Sequence, residues 1–84
     1  MSNKIQSIEV LGSGCPKCHK LLEMTKETLL QLGLVIEISY VKEIDRMIEL
    51  GIMSTPALAI NGQAVLSGRL PSLEELKEVI SKYL

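Results

Sequence analysis

The stretch that decides the fold runs from Ile5 to His19 and reads Ile-Gln-Ser-Ile-Glu-Val-Leu-Gly-Ser-Gly-Cys-Pro-Lys-Cys-His. Its first seven residues mix apolar and polar side chains, which predicts a strand over Ile5–Leu11. Gly12–Gly14 indicates a turn. Pro16 suits the first position of a helix, because the N–H that proline lacks has no helical partner there. The stretch therefore predicts a strand, a turn and a helix that begins between two cysteines.

Further helices and strands follow in alternation. The first helix is predicted to continue to Gly33, because four apolar residues and one threonine recur at helical spacing on one stripe: Cys18, Leu22, Thr25, Leu29 and Leu32. A second strand is predicted over Val35–Val41, and a short helix between Glu43 and Leu50 with Ile44, Met47 and Ile48 on one face. Asn61-Gly62 predicts a hairpin turn between strands over Ala57–Ile60 and Gln63–Leu66. The last helix is predicted to begin at Ser72, which forms a capping box with Glu75.

The order β-α-β-α-β-β-α predicts an α/β fold. A strand–helix–strand start favours a parallel pair with a right-handed crossover, and the hairpin adds antiparallel strands. We therefore expect one mixed four-stranded sheet flanked by helices. The 84 residues contain no linker or internal repeat, so we expect residues 1–84 to form one domain.

Composition excludes several functions. The net charge is −1 and the only aromatic residues are two tyrosines, which argues against nucleic-acid binding. No apolar run approaches the roughly 18 residues of a membrane span. The first residues lack the apolar stretch of a signal peptide, so we expect a cytoplasmic protein. Two cysteines three positions apart in such a protein indicate redox chemistry or metal binding.

The predicted helix start gives the two cysteines different environments. Cys15 is expected at the helix cap, facing unpaired backbone N–H groups and the positive end of the helix dipole. Cysteines so placed have pKa values of roughly 3.5–7.5, against about 8.5 for a free cysteine. Cys18 lies one turn into the helix, on its apolar stripe, and is expected to be more buried. We therefore predict that Cys15 attacks a substrate disulfide and that Cys18 resolves the mixed disulfide.

Two motifs carry a resemblance to a known family. Cys15-Pro16-Lys17-Cys18 at the start of the first helix, with Ser54-Thr55-Pro56 before the hairpin, resembles the thioredoxin-like superfamily. The chain is most similar to its short glutaredoxin-type members, the small microbial redox-active disulfide proteins. The resemblance implies a thiol–disulfide oxidoreductase in which Thr55-Pro56 is a cis peptide facing the cysteines. The residues that it implies for substrate binding are Pro16, Lys17, Thr55, Pro56 and Gly68.

The resemblance also implies the partners. Glutaredoxins carry a glutathione-binding lysine three residues before the first cysteine, where this chain has Gly12. We therefore expect protein disulfides as substrates and a separate thiol reductant or reductase, with electrons carried by the cysteine pair and no bound cofactor. A monomer is expected.

Three alternatives remain open from the sequence. The same cysteine pair would suit a carrier of Cu(I), a soft ion that two thiolates bind well. Cys15 to His19 also matches the c-type haem pattern, although the chain has no second histidine for the iron. A domain with no redox activity is the third. Glu9 is either a solvent-exposed residue of the first strand or, by analogy with thioredoxin, a proton relay to Cys18.

Overall fold

The computed structural model describes residues 5–83 and has the predicted element order. Its elements are β1 (Ile8–Leu11), α1 (Pro16–Gln31), β2 (Ile38–Val41), α2 (Ile44–Glu49), β3 (Ala57–Ile60), β4 (Gln63–Ser67) and α3 (Leu73–Ser81). The strands form one sheet in the order β2-β1-β3-β4, with β1 parallel to β2 and the other pairs antiparallel. The predicted mixed sheet is confirmed. The expected domain includes residues 1–4 and 84, which lie outside the described residues.

The two faces of the sheet are covered by different helices. On one face, Ile8 and Val10 of β1 pack with Leu58 and Ile60 of β3 and with buried leucines and isoleucine of α1 and α3. On the other face, Leu11 and the small residues of β3 pack against α2. Because side chains alternate along a strand, Glu9 points toward the α2 face. Within residues 5–83, no helix has the length and hydrophobicity that crossing a membrane requires.

The first strand is shorter than predicted. It begins at Ile8, because the N–H groups of Gln6 and Ser7 donate to the side-chain oxygen of Asn61, at 2.6 and 3.2 Å. Asn61 and Gly62 form the predicted hairpin turn, with φ angles of 54° and 78° that fit a type I′ turn. The turn thus takes up the backbone groups that would otherwise extend β1.

The second strand is shortened for the same reason. Ile38 lies opposite Ile8 in the parallel pair, so residues 35–37 would need residues 5–7 as partners. Those residues are turned toward Asn61, and β2 therefore begins at Ile38 and not at Val35. Val35 is fully exposed.

The buried stripe of α1 differs in part from the predicted one. Leu22 and Leu32 are only partly buried, whereas Leu21 and Thr28 are buried. The hydroxyl groups of Thr25 and Thr28 donate to backbone carbonyls four residues earlier, each at 2.8 Å. These bonds satisfy buried polar groups and explain how two threonines are accommodated on the apolar face.

The two shorter helices correct two local predictions. In α2, Met47 packs toward the sheet, but Ile44 and Ile48 are 70% and 69% exposed, so the predicted apolar face is wrong. In α3, the hydroxyl of Ser72 accepts the predicted bond from the N–H of Glu75 at 3.1 Å. The Glu75 carboxylate pairs with Arg69, so the described contacts form one half of the capping box.

Candidate active site

Cys15 is the N-cap residue of α1, as predicted. Its backbone is extended (φ −74°, ψ 162°), and Pro16 occupies the first helical turn. The Sγ atom of Cys15 accepts a hydrogen bond from the backbone N–H of Cys18, 3.2 Å away. The sulfur therefore takes the role that a Ser or Asp oxygen usually has at a helix start, next to the positive end of the helix dipole.

Cys15 and Cys18 form a disulfide, with their Cα atoms 5.2 Å apart. The predicted difference in burial is confirmed: Cys15 is half-buried, and Cys18 is fully buried. Cys18 lies on the buried stripe of α1 with Leu21 and Thr25. A reagent from solution can therefore approach the first sulfur more readily than the second.

Strand register brings the predicted substrate-binding segments to one edge of the sheet. Leu11 lies opposite Ala57, and Ala57 lies opposite Ser67. The loop leading to Cys15 therefore starts beside the residue that precedes β3, which is Pro56. Gly68 follows β4 at the same edge and donates its N–H to the Pro56 carbonyl at 2.9 Å.

The loop before β3 has the conformation that the resemblance implies. The Thr55–Pro56 peptide bond is cis. Pro56 is buried and Thr55 is half-buried. A Cβ atom on Gly68 would lie 2.6 Å from the Ser54 hydroxyl, so the absence of a side chain at Gly68 lets the loop after β4 approach this segment closely.

Gly12 serves the site sterically. A Cβ atom at this position would overlap the side chain of Cys18 and lie 3.1 Å from the Tyr40 hydroxyl. Its backbone N–H donates to the Val41 carbonyl at 3.0 Å, which ties the loop to the end of β2. Gly12 therefore makes room for the buried sulfur, a role that the sequence did not reveal.

Tyr40 is a second residue that sequence reasoning missed. Its hydroxyl oxygen accepts a hydrogen bond from the Gly14 N–H at 3.0 Å, and its ring stacks on the ring of His19. The available signal was the parallel pairing of the first two strands, which places the end of β2 beside the loop that follows β1. Tyr40 is also one of only two aromatic residues in the chain.

Glu9 is not solvent-exposed, so that expectation is wrong. Its side chain is 13% exposed, and both carboxylate oxygens bind the Arg46 guanidinium, at 2.8 and 2.9 Å. Its hydrogen bonds to Glu9, and to a smaller extent the one to Glu49, raise the pKa of Arg46 above its usual value. Glu9 is thus paired with α2, and its role as a proton relay stays a prediction.

Residues of the cysteine motif other than the cysteines, and Arg69, lie at the surface. Pro16, Lys17 and His19 are exposed, so Lys17 carries its charge in solvent between the two cysteines. Arg69, in the loop after β4, is held by the carboxylate of Glu75 through both of its oxygens. This hydrogen bonding lowers the pKa of Glu75 and raises that of Arg69.

These features define a class of protein. A partly exposed cysteine at a helix start, bonded to a buried cysteine one turn later, is the arrangement that thiol–disulfide exchange requires. Residues 6–81 match the family model described as a thioredoxin domain, and the chain belongs to this family.

Two curated relatives span nearly the same length. A thioredoxin of Methanothermobacter thermautotrophicus is 34% identical over 77 residues, covering 92% of this chain and all of the relative. A thioredoxin of Methanocaldococcus jannaschii is 36% identical over 77 residues, covering 92% of this chain and 88% of the relative.

The family assigns the activity: the protein is a thiol–disulfide oxidoreductase. The alternative of a Cu(I) carrier is not favoured by this membership. Within residues 5–83, no three His, Cys, Asp or Glu side chains are grouped in a way that would hold a metal ion.

Proposed function

We propose that the protein reduces disulfide bonds in other proteins, with Cys15 as the attacking sulfur and Cys18 as the resolving sulfur. The observation that carries the proposal is the hydrogen bond from the Cys18 N–H to the Cys15 sulfur, combined with the burial of Cys18. One sulfur meets solvent at a positively polarised helix start, and the other is shielded.

The helix start activates Cys15 electrostatically. The Cys18 N–H is shared between the Cys15 sulfur at 3.2 Å and the Cys15 carbonyl at 3.0 Å, and in the reduced protein this donor and the positive end of the helix dipole favour the negatively charged thiolate. The exposed Lys17 adds a positive charge nearby. We therefore expect Cys15 to ionise below the roughly 8.5 of a free cysteine. Burial of Cys18 disfavours its thiolate, so the two thiols differ in reactivity at neutral pH.

The reaction proceeds in two exchanges. The Cys15 thiolate attacks a substrate disulfide, which forms a mixed disulfide and releases one substrate thiolate that takes up a proton. The Cys18 thiol then loses its proton and attacks the Cys15 sulfur, which forms the Cys15–Cys18 disulfide and releases the second substrate thiol. Two electrons and two protons pass to the substrate, and an external thiol reductant restores the dithiol.

We propose that the substrate binds as an extended segment beside Thr55. This residue precedes β3 and forms no backbone hydrogen bond with other described residues, so its N–H and carbonyl are available to a substrate. An extended chain that pairs there gains main-chain hydrogen bonds without sequence specificity. In this proposal Pro56 and Gly68, at the same edge of the sheet, contact the bound segment. Pro16 and Lys17 lie at the side of the proposed site.

We further propose that the protein acts as a monomeric single domain in the cytoplasm. Thiol reductants are abundant there, which suits a protein that delivers electrons to disulfides. Light scattering coupled to gel filtration is expected to give a mass near 9.3 kDa. A mass twice as large would contradict the monomer.

The direct test is to trap the mixed disulfide. Reduced C18S protein is mixed with insulin, used as a protein disulfide substrate, and analysed by non-reducing electrophoresis and mass spectrometry. We expect a covalent adduct on Cys15 that dithiothreitol releases, because the resolving thiol is absent. C15S is the matched control and should trap little or nothing. Equal trapping by both variants, or an adduct on Cys18 alone, would refute the assignment of roles.

A further inference from the structure

The loop that carries Cys15 is fastened to the end of β2 at two points. The Gly12 N–H donates to the backbone carbonyl of Val41, and the Gly14 N–H donates to the hydroxyl of Tyr40, both at 3.0 Å. The first contact involves only backbone atoms and is available to any residue at position 41. The second depends on the side chain at position 40, because the acceptor is the hydroxyl oxygen of the tyrosine.

The same side chain contacts the other end of the motif. The rings of Tyr40 and His19 are stacked, with centroids 5.5 Å apart and planes inclined by 20°. Gly14 immediately precedes Cys15, and His19 immediately follows Cys18. Tyr40 therefore bridges the residues that flank the cysteine motif on both sides.

The Tyr40 hydroxyl also lies near the buried sulfur. A Cβ atom built on Gly12 would overlap Cys18 and lie 3.1 Å from this hydroxyl. The Cys18 side chain and the Tyr40 hydroxyl are therefore both next to the Cα atom of Gly12. Tyr40 itself is half-buried, and it packs against the core on the face that holds α1. Its ring is therefore fixed by the core while its hydroxyl reaches the loop.

We propose that Tyr40 is a positioning residue for disulfide exchange, which holds Cys15 at the helix cap when the disulfide is open. This inference rests on the proposed function. In the oxidised protein, the covalent bond to Cys18 fixes the sulfur of Cys15. After reduction, that restraint is lost, and Cys15 is held only by noncovalent contacts. Its own hydrogen bonds run to residues of α1, and the Gly14–Tyr40 bond is the contact nearest to it in the chain that ties the loop to β2.

The sign of the effect follows from this difference. Loss of the Tyr40 hydroxyl costs the dithiol form more than the disulfide form, because the disulfide form keeps its covalent restraint. The thiolate of Cys15 becomes less well aligned with the helix start, and its attack slows. The dithiol–disulfide equilibrium shifts toward the disulfide, so the protein becomes harder to reduce.

The test compares Y40F with Y83F. Y40F keeps the ring and removes the hydroxyl. In the control, Tyr83 loses a hydroxyl that lies 3.4 Å from the side-chain oxygen of Gln63. This contact joins the turn after α3 to the start of β4. For both variants and the wild type, the measurements are the pH profile of Cys15 alkylation, the equilibrium with glutathione, and the melting temperature of the oxidised protein.

We expect Y40F to slow alkylation of Cys15 at pH 7 by about two- to tenfold, the range that corresponds to one hydrogen bond. The equilibrium with glutathione should shift toward the disulfide, and the alkylation profile should move to higher pH. Y83F should change neither. A Y40F protein with wild-type alkylation and equilibrium, whatever its melting temperature, would overturn the inference and leave the proposed function intact. A wild type that fails to reduce insulin would instead overturn the proposed function.

Discussion

The Sγ atom of Cys15 accepts a hydrogen bond from the backbone N–H of Cys18, so the first sulfur caps the helix on which the second one lies. Cys18 is fully buried on the same helix. The two sulfurs of one disulfide therefore have opposite environments, one polar and accessible and the other apolar and shielded. In the proposed reaction, this asymmetry favours attack by Cys15.

The charge of Lys17 is expected to contribute to the reactivity of Cys15. Replacing it in K17E should slow alkylation of Cys15 by about two- to fivefold at low salt, because an exposed charge near the thiolate changes sign. The difference should shrink as salt is added. The matched control is K26E, which changes an exposed lysine farther along the same helix and should have little effect on the alkylation rate. An equal effect of both variants would indicate that only net charge matters.

Gly12 is expected to be required for the position of Cys18. In G12A, the added methyl group would overlap the Cys18 side chain, so we expect a loss of about 1–3 kcal/mol in the free energy of unfolding of the oxidised protein. The overlap also displaces the buried sulfur, so the equilibrium with glutathione should shift toward the dithiol.

G33A separates the effect on the sulfur from a general cost of alanine. Gly33 has a φ of 73° and open space around a Cβ position, so G33A should lose about 1 kcal/mol through its backbone conformation alone. Its equilibrium with glutathione should match the wild type. Chemical denaturation and the glutathione equilibrium measure both properties. A G12A protein with wild-type redox behaviour would contradict the steric role of Gly12.

The stability of the fold is expected to depend on the packing of Leu76 in the core. This side chain of α3 is fully buried against the sheet, so L76A should lower the free energy of unfolding by about 2–5 kcal/mol. L30A removes the same atoms from a side chain that is 78% exposed, and should change the free energy of unfolding by less than about 0.5 kcal/mol. Urea denaturation gives both values. Comparable losses would show that the two environments are not as described.

The ion pair between Glu9 and Arg46 is expected to stabilise the packing of α2. In R46M, the Glu9 carboxylate, whose side chain is 13% exposed, loses the partner that binds both of its oxygens. We expect a lower urea midpoint and a melting temperature reduced by several degrees. The double variant E9Q/R46M should recover part of the loss, because the unpaired charge is gone. A double variant less stable than R46M would contradict this explanation.

Local features of the chain were predictable because neighbouring residues determine them. Pro16 at the helix start, Asn61-Gly62 in the hairpin and Ser72 at the last helix act within a few residues of chain, and each has its predicted place. The element order and the sheet followed from these signals and from the spacing of apolar residues. The contrast in burial between Cys15 and Cys18 followed from their positions on one helix.

Features that depend on distant residues were not predictable. The side chain of Asn61 determines where β1 and β2 begin, and it lies more than 50 residues along the chain from its partners Gln6 and Ser7. The partner of Glu9 is 37 residues away in α2. The Tyr40 hydroxyl meets Gly14 across 26 residues. Each of these contacts depends on the folded arrangement of strands and helices, which spacing along one segment does not encode.

The central claim is that Cys15 is the activated thiol and Cys18 the shielded one. The most direct measurement treats the reduced wild-type protein with a brief pulse of iodoacetamide at pH 6.5 and maps the modified cysteine by peptide mass spectrometry. We predict that Cys15 is alkylated and Cys18 is spared, with a rate for Cys15 above that of a free cysteine at the same pH. Equal labelling of the two residues, preferential labelling of Cys18, or a Cys15 rate no faster than that of free cysteine would contradict the account.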